Sequence, residues 1–376
     1  MADQTSDNPG QTIPPAPLIM HVFPTFAVGG AQVRFAMLAN HFGPAFRHIV
    51  VSLDGELGCR ERLRPDLDIR FPAVAASKNA MLANTLRFRR LLHEWSPALL
   101  VTNNWGAIEW AMANLPPIAR HLHIEDGFGP EERNRQLPRR AWLRRLVLNR
   151  STVALPSRNL QRIALRVWHL PPARVRYIAN GIDLGRFAVR AAPRAPGDAP
   201  VIGTVAGLRA EKNVSRLLRA FALVSPPARL VIVGDGPERA ALQAEAQSLG
   251  IAGHVRFTGH IDDPAPLYAG FDVFALSSDT EQMPLSVIEA MAAGLPVVAT
   301  DVGDVRSMLS AENAPFVGRL SETDLARSLA ALVQAPDLRA RIGAENRAKA
   351  RAEFDQAAMF HAYGTLWRDE FPPQTA

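Results

Sequence analysis

The chain has 376 residues, of which 48% are hydrophobic and 21% charged, a balance that excludes both a disordered polymer and a bundle of membrane helices. No run approaches the roughly eighteen uninterrupted apolar residues of a transmembrane helix. The single cysteine, Cys59, excludes an internal disulfide framework and a cysteine-built metal site. The polar, proline-rich residues 1–17 lack the layout of a signal peptide and predict a flexible tail.

Charge is unevenly distributed along the chain. Residues 1–190 carry 25 lysines and arginines against 14 acidic residues, whereas residues 191–376 carry 17 against 22. A basic half joined to an acidic half indicates two domains with different partners. The charge alone is compatible with nucleic acid, an anionic membrane or an anionic substrate.

The first half alternates short apolar runs with helical patterns, which predicts a parallel sheet with helices on both faces. A glycine turn, Gly29-Gly30, follows the first run. Helical patterns cover residues 85–95 and 159–168. The predicted strands are 18–23, 48–53, 98–102, 121–124 and 152–155.

The pattern restarts after residues 188–200, a segment rich in Ala, Pro and Gly that predicts an interdomain linker. Asn213 predicts the N-cap of a helix, and residues 322–367 are rich in helix. Further strands are predicted at 200–207, 229–236, 254–259, 272–278 and 296–301. The sequence therefore predicts two doubly wound α/β domains, at 18–187 and 201–357, with the cleft between them as the default ligand site.

Two glycine-containing turns of the second half could approach phosphates. Arg209 and Lys212 lie between a strand end and a helix start, where two cations and a helix N-terminus could hold a diphosphate; the alternative is two solvated surface cations. The turn at Gly234 and Gly236 begins like a dinucleotide fingerprint, but Arg239 stands where a third small residue belongs. A tight strand-to-helix turn is the simpler interpretation there.

Residues 277–304 carry two glutamates eight positions apart. Pro284 is placed to begin a helix and Gly294 to end it. Glu281 then lies in the loop before the helix, and Glu289 lies on the helix among apolar neighbours. A carboxylate in apolar surroundings needs hydrogen-bond donors, and sugar hydroxyls are suitable ones. The alternative is that Glu289 faces solvent.

These motifs together resemble the retaining glycosyltransferase family 4, whose two Rossmann-like domains face each other across a cleft in the GT-B fold. The resemblance runs nearly from end to end. It is carried by VGGAQ (28–32), NGID (180–183), GLRAEKN (207–213), GDGPER (234–239), FTG (257–259), the Glu281/Glu289 pair and the tail EAMAAGLPVVATDVG (289–303).

The resemblance implies a role for each matching residue. It implies that Glu281 contacts hydroxyls of the donor sugar and Glu289 the ribose, and that Arg209 and Lys212 neutralise the leaving diphosphate. No metal is expected, because fixed cations and backbone N–H groups can stabilise that charge. The remaining expected donor contacts are Gly29, Gly30, Gly207, Gly236 and the segment Gln282, Met283, Pro284 and Leu285.

The sequence departs from the family pattern at three places. Gln282-Met283 replaces the usual Gly-Phe, which predicts an added side chain beside the donor sugar. Asp304 stands where a second glycine is common. On the acceptor side, Asp126 occupies the usual histidine position, so Asp126, His123 and Glu125 are all candidates for a contact to the reacting hydroxyl. The alternative for His123 is a hydrogen-bonded histidine inside a strand.

The resemblance implies transfer of a sugar, with retention, from a UDP- or GDP-sugar to a hydroxyl of a glycan or lipid-linked acceptor, as in bacterial surface polysaccharide or glycolipid synthesis. The N-terminal domain would bind the acceptor and the C-terminal domain the nucleotide sugar. A terminal helix at 358–376 would pack back on the N-terminal domain. The alternatives are a non-catalytic sugar-nucleotide-binding homologue and a GT-B sugar-nucleotide epimerase.

The arginine-rich segment 133–150 predicts a helix from about Pro138 with an apolar stripe and a basic flank. It could lie on an anionic membrane, and the alternative is an ordinary helix whose apolar side faces the core. No zinc finger, RNP string or aromatic-interleaved basic strip supports nucleic acid. We therefore expect a cytoplasmic protein, peripheral at the inner face of the membrane if this segment binds lipid.

Overall fold

The computed structural model describes residues 15–77, 80–132, 135–188, 198–224 and 228–368. Most of the predicted tail and linker lies outside these residues, as do residues 369–376 of the predicted terminal helix. By contacts between Cα atoms the described chain divides into two compact units. One holds the residues up to 102 with 109–121, and the other holds 103–108 with the residues from 122 onward.

The first sheet has seven strands in the order β3-β2-β1-β4-β5-β6-β7. The strands are Leu18–Phe23 (β1), Arg47–Ser52 (β2), Ile69–Arg70 (β3), Leu99–Asn103 (β4), Arg120–Ile124 (β5), Thr152–Leu155 (β6) and Val175–Tyr177 (β7). The helices along this part of the chain are Gly30–Phe42 (α1), Met81–Trp95 (α2), Ile108–Ala113 (α3), Pro138–Leu148 (α4) and Arg158–Arg166 (α5).

The second sheet has six strands in the order β10-β9-β8-β11-β12-β13, and all of its neighbouring pairs are parallel. The strands are Val201–Val205 (β8), Arg229–Val233 (β9), Val255–Gly259 (β10), Val273–Leu276 (β11), Val297–Thr300 (β12) and Val317–Gly318 (β13). The helices are Val214–Ala222 (α6), Arg239–Ser248 (α7), Ala265–Tyr268 (α8), Leu285–Ala293 (α9), Val305–Met308 (α10), Glu322–Val333 (α11), Pro336–Glu353 (α12) and Gln356–Arg368 (α13).

Alternating apolar residues cover both faces of the second sheet. In β9, Leu230 and Ile232 belong to one buried cluster, whereas Val231 and Val233 belong to another. The first cluster includes side chains of α6 and α11, and the second includes side chains of α9 and α12. Because successive side chains of a strand point to opposite faces, helices cover both sides of the sheet, which confirms the predicted doubly wound α/β architecture.

The strand order reverses between β8 and β11, since the chain runs from β8 to β9 and β10 on one side and then crosses to β11 on the other. In the first sheet the same reversal falls between β1 and β4. Ligands of doubly wound sheets bind beyond the carboxyl ends of the strands at such a switch point. The loops after β8 and β11 are therefore the first place to look for a site.

The end of the chain returns to residues that precede the predicted linker. Ile182 N–H donates to the Phe354 carbonyl at 3.0 Å, and Gln356 N–H donates to the Ile182 carbonyl at 3.1 Å. The last described helix therefore starts against the 181–182 segment, and the predicted packing of residues 358–376 on the N-terminal domain stays a prediction. Within the described ranges, no helix combines the length and apolar character needed to cross a bilayer.

Candidate functional site

The loop between β8 and α6 is shaped by its own hydrogen bonds. Residues 210–212 form a single 3-10 turn, and Asn213 follows in the left-handed region at φ 43°. Its side chain accepts the Arg216 N–H at 3.1 Å, which confirms the predicted N-cap. This geometry places Arg209 and Lys212 just before the N-terminus of a helix.

A neighbouring glycine turn packs directly beneath this loop. Leu208 N–H donates to the Asp235 carbonyl at 2.8 Å. A Cβ on Gly236, which has φ 158°, would lie 2.4 Å from the Leu208 carbonyl oxygen, whereas one on Gly207 would meet nothing closer than 3.9 Å. Gly236 therefore has a packing reason to be glycine, and the predicted donor contacts of Gly207 and Gly236 stay predictions.

The loop after β11 meets the loop after β8 through an ion pair. Lys212 Nζ lies 2.6 Å from Glu281 Oε1, and Ser278 Oγ donates to the same carboxylate oxygen at 2.8 Å. The Lys212 side chain is 19% exposed and that of Glu281 10%. The structure thus brings together two residues that lie 69 positions apart and leaves both in partial contact with solvent.

A second ion pair holds the two loops together from below. Arg216 donates to Asp279 Oδ1 at 2.6 Å and to the Ser277 carbonyl at 2.8 Å. Asp279 N–H in turn donates to the Glu211 carbonyl at 2.8 Å. These bonds fix the loop that carries Lys212 relative to the loop that carries Glu281. No local pattern in the sequence predicts these supporting bonds.

Arg209 sits differently from Lys212. Its Nε lies 2.8 Å from Glu211 Oε1, and the Arg209 side chain is 58% exposed. An exposed ion pair of this kind is weak. The Arg209 guanidinium can therefore leave Glu211 and bind another anion at a small cost in free energy. The structure places Arg209 on the same loop as Lys212, as predicted, but does not bond the two side chains to a common partner.

Helix α9 begins and ends where the sequence predicted. Pro284 precedes it, and Gly294 ends it in the left-handed region at φ 75°. Glu289 is half-buried rather than solvated, and the buried Tyr268 hydroxyl donates to its Oε2 at 2.6 Å. Burial, and then the Glu289 carboxylate, raises the pKa of Tyr268 well above its usual value, so the hydroxyl stays protonated and keeps donating.

The segment between the two glutamates accepts hydrogen bonds from residues at the start of α5 and from Asn180. Gln282 Oε1 accepts from Ser157 Oγ and from Asn159 Nδ2, both at 3.2 Å. Asn180 Nδ2 donates to the Met283 carbonyl at 3.1 Å. Sequence reasoning assigned no role to Ser157 and Asn159, and noted Asn180 only inside the NGID string.

The glycine turn of the first unit leads into helix α1. Gly29 is the residue before α1, in extended backbone, and Gly30 is its first residue. A Cβ on Gly29 would lie 2.7 Å from Gln32 Oε1, whose amide Nε2 donates to the Thr25 carbonyl at 2.8 Å. The turn lies at the first sheet's switch point, and its predicted contact with phosphates stays a prediction.

The candidates on the acceptor side separate into two kinds. His123 and Glu125 are 0% exposed, and Glu125 Oε2 lies 3.3 Å from Nε of the equally buried Arg144. Of the three predicted candidates only Asp126 is partly exposed, and its N–H donates to Asn104 Oδ1 at 2.7 Å. The structure therefore places His123 and Glu125 in the interior and leaves Asp126 partly exposed, and the predicted contact of these residues with an acceptor hydroxyl stays a prediction.

Comparison with known proteins accounts for both halves of the chain. The model described as Glycosyltransferase Family 4 matches residues 28–186, and the model described as Glycosyl transferases group 1 matches residues 186–349. The chain belongs to this family of glycosyltransferases.

Individual relatives agree with the family. The chain is 34% identical to the lipopolysaccharide core biosynthesis glycosyltransferase LpsE of Rhizobium meliloti over 192 residues, covering 50% of this chain and 56% of that protein. It is 34% identical to a GDP-mannose-dependent alpha-mannosyltransferase of Mycobacterium tuberculosis over 235 residues, covering 58% and 57%. The matches thus span a little over half the length of these relatives.

Solved structures of low sequence identity share the fold. HepE of Anabaena, in complex with UDP and glucose, aligns with a TM-score of 0.78 at 18% identity over 94% of this chain and 99% of that one. Sucrose-phosphate synthase of Thermosynechococcus elongatus aligns with a TM-score of 0.77 at 21% identity over 94% and 99%. The likeness confirms the predicted GT-B fold.

Proposed function

We propose that the chain is a glycosyltransferase that moves a sugar from a nucleoside-diphosphate sugar to a hydroxyl of a glycan or lipid-linked acceptor. The observation that carries the proposal is the Lys212–Glu281 pair, 2.6 Å apart on loops that follow neighbouring strands at a switch point. A carboxylate for sugar hydroxyls and a cation for the diphosphate are adjacent there.

The chemistry follows from where charge develops. When the bond between the sugar and the diphosphate breaks, negative charge grows on the leaving phosphate, and fixed cations stabilise it without reorganisation. Lys212 is held in place by Glu281, and Arg209 is exposed on the same loop. We assign to these two cations the stabilisation of the leaving group, and we expect no need for a metal ion.

The donor is assigned by class. HepE was solved with UDP and glucose, and one relative is named a GDP-mannose-dependent enzyme. A UDP- or GDP-sugar is the donor class that these names support. We assign to the half-buried Glu289, which accepts a hydrogen bond from Tyr268 at 2.6 Å, the role of accepting hydrogen bonds from ribose hydroxyls. We further propose retention at the anomeric carbon and, by analogy with LpsE, an acceptor from surface polysaccharide or glycolipid synthesis.

The experiment is a donor screen with the purified full-length chain. UDP-glucose, UDP-galactose and GDP-mannose are each incubated with the chain and a membrane glycolipid extract, with and without EDTA. The proposal expects one donor to be consumed equally in both conditions and to give a product with the donor's anomeric configuration by NMR. Binding without turnover would instead support the non-catalytic homologue, and interconversion of free donor sugars would support the epimerase.

We also propose that the exposed face of α4 contacts an anionic membrane. The helix buries Ala141 and Val147 as an ordinary core helix does, but it leaves Trp142 64% and Leu146 57% exposed. Arg139 and Arg145 are exposed beside them. Aromatic and apolar side chains flanked by arginine are suited to the boundary between headgroups and acyl chains.

Vesicle co-sedimentation tests this surface. Wild-type protein should sediment with phosphatidylglycerol vesicles but not with phosphatidylcholine vesicles, and less at high salt. The double variant Trp142→Ala/Leu146→Ala should stay in the supernatant. The control is Leu223→Ala, which removes an exposed leucine, 59% accessible, from the second sheet's side of the chain. Equal sedimentation of the double variant and the control would contradict the proposal.

A further inference from the structure

We infer that Gln282 and Asp304 are positioning residues that hold the donor-binding loop against the N-terminus of helix α5. The inference rests on the proposed function for its consequence in the reaction, but its contacts stand independently. Gln282 and Asp304 are two of the positions where the sequence departs from the family pattern, and both side chains contact the same end of one helix.

Asp304 closes the N-terminus of α5. Its side-chain oxygens accept the backbone N–H of Arg158 and, at 2.9 Å, that of Asn159, and the residue is only 5% exposed. The first N–H groups of a helix have no partner within the helix, and the positive end of the helix dipole favours a carboxylate. A buried carboxylate with two such donors is held firmly.

Gln282 reaches the same helix end with its side chain. The amide oxygen accepts from Ser157 Oγ and Asn159 Nδ2, each at 3.2 Å. A Cβ on Gly127, in the segment after β5, would lie 3.5 Å from Gln282 Cγ. The side chain that was expected beside the donor sugar is thus engaged with residues 157–159.

The two contacts converge on the backbone next to Glu281. Asp304 N–H donates to the Gln282 carbonyl at 2.9 Å. Gly303, at φ 56°, packs so closely that a Cβ there would lie 2.2 Å from the Glu281 carbonyl oxygen. Because Asp304 is anchored on α5 and bonded to Gln282, movement of Asp304 shifts the peptide that carries Glu281. Asp304 therefore acts through Glu281 and not on the sugar itself.

Amide-resolved hydrogen exchange tests the contact without any substrate. In Asp304→Asn, one carboxamide oxygen faces two N–H donors, so exchange at Arg158 and Asn159 should accelerate by about tenfold or more. The Leu160 amide, which donates to Ser157 Oγ at 3.0 Å, is the internal control and should not change. The control variant is Asp301→Asn, whose carboxylate pairs with Arg306 at the surface. Unchanged exchange at Arg158 and Asn159 in Asp304→Asn would overturn the inference.

Calorimetric titration of ligands distinguishes a positioning role of Gln282 and Asp304 from a role in structure alone. UDP against UDP-glucose, and GDP against GDP-mannose, are titrated into wild type, Asp304→Asn and Gln282→Leu by calorimetry. Affinity for the nucleotide sugar should fall about tenfold while that for the nucleotide alone stays within about twofold. Gln282→Glu keeps an acceptor oxygen for Ser157 and Asn159 and should restore wild-type affinity.

The two possible failures are distinguishable. If wild type binds neither nucleotide nor nucleotide sugar, the proposed function fails, whatever the exchange rates show. If wild type binds the nucleotide sugar and both variants bind it equally well despite faster exchange at Arg158, the positioning role is overturned and the proposed function stands. Equal loss of nucleotide and nucleotide-sugar binding would also overturn positioning, since it would indicate general damage to the site.

Discussion

Charged residues beyond strand ends serve different purposes in the two sheets. After β8 and β11, Lys212 and Glu281 form a pair that keeps 19% and 10% of the side-chain surface exposed. After β5, Glu125 and Arg144 are both 0% exposed. A position past the carboxyl end of a strand is therefore insufficient to mark a reacting group, because one of these two pairs is fully buried and the other keeps part of its surface exposed.

Arg144 lies at the centre of the buried cluster near β5. Arg144 bonds both carboxylate oxygens of Glu132, at 3.1 and 3.0 Å, and lies 4.7 Å from the Trp105 ring centroid and 4.8 Å from that of Trp168. Burial alone would raise the pKa of Glu132, but the hydrogen bonds and the charge of Arg144 outweigh burial and hold that pKa below its usual value. Through the bonds between Arg144 and Glu132, helix α4 is held against the segment after β5.

The largest effect is expected from breaking that cluster. Arg144→Met leaves the buried carboxylate of Glu125 without its arginine and Glu132 with Arg140 alone, and should lower the free energy of unfolding by about 3–5 kcal/mol. Urea unfolding measures the change. Arg145→Met, at the exposed neighbouring position, is the control and should stay within about 0.5 kcal/mol of wild type. Equal free energies of unfolding for Arg144→Met and Arg145→Met would show that the buried cluster near β5 does not hold the fold together.

The partly exposed pair should affect the reaction and not the fold. Glu281→Gln removes the charge beside Lys212 and should reduce kcat/KM for the donor identified in the screen by about 10²–10³. Its unfolding midpoint should remain close to that of wild type. Glu312→Gln, which loses an exposed partner of Arg341, provides the matched control. A large drop in stability with normal kcat/KM in the folded fraction would assign Glu281 to the structure instead.

Much of the fold follows from local pattern. The first strand and the β6 strand have the predicted bounds, and α9 lies between Pro284 and Gly294 as expected. These elements are specified by short apolar runs, a proline and a glycine, all readable in sequence. The two-residue strands β3 and β13 were missed because so few residues form no recognisable period.

The site was predictable where its residues lie in one motif and unpredictable where packing decides. Lys212 and Glu281 were named separately, and the structure pairs them. His123 lies buried beside Glu125, and Glu125 in turn pairs with Arg144, which comes from a later helix. Gln282 and Ser157, which are hydrogen-bonded, lie 125 positions apart in the sequence. No local pattern in the sequence predicts a contact over such a separation.

Two buried histidines in the first unit are expected to make the stability of the fold depend on pH. His21 Nε2 and His48 Nδ1 lie 3.2 Å apart. Burial lowers the pKa of His48 to about 4 and, with the nearby His48, lowers the pKa of His21 well below its usual value. The unfolded chain therefore binds more protons below pH 6.5, and stability should fall as pH drops toward 4.

The slope from each histidine is at most about 1.4 kcal/mol per pH unit. Urea unfolding at pH 7, 6 and 5 measures it, and His48→Gln should flatten the dependence. His254→Gln, at an exposed position, is the control and should leave the slope unchanged. A wild-type stability that is constant between pH 7 and 5 would contradict the prediction.

The smallest effect is expected at Tyr268. Tyr268→Phe removes the hydroxyl that donates to Glu289 and should lower the free energy of unfolding by about 1–2 kcal/mol, with a several-fold weaker affinity for the nucleotide. Calorimetric titration of UDP and GDP checks the second effect. Phe271→Leu is the control for loss of packing, because the buried Phe271 ring lies beside Tyr268 and has no hydroxyl to donate. This variant should leave the affinity for the nucleotide near that of wild type.

Donor turnover by Lys212→Ala and Arg209→Ala, with Arg219→Ala as the control, is the most direct test of the proposed function. Arg219 also carries an exposed cation on the second sheet's side, paired with Glu245 and Glu322. We expect the first two variants to lose most turnover, while all three unfold at nearly the wild-type midpoint. Full turnover in either Lys212→Ala or Arg209→Ala would contradict the role assigned to that cation.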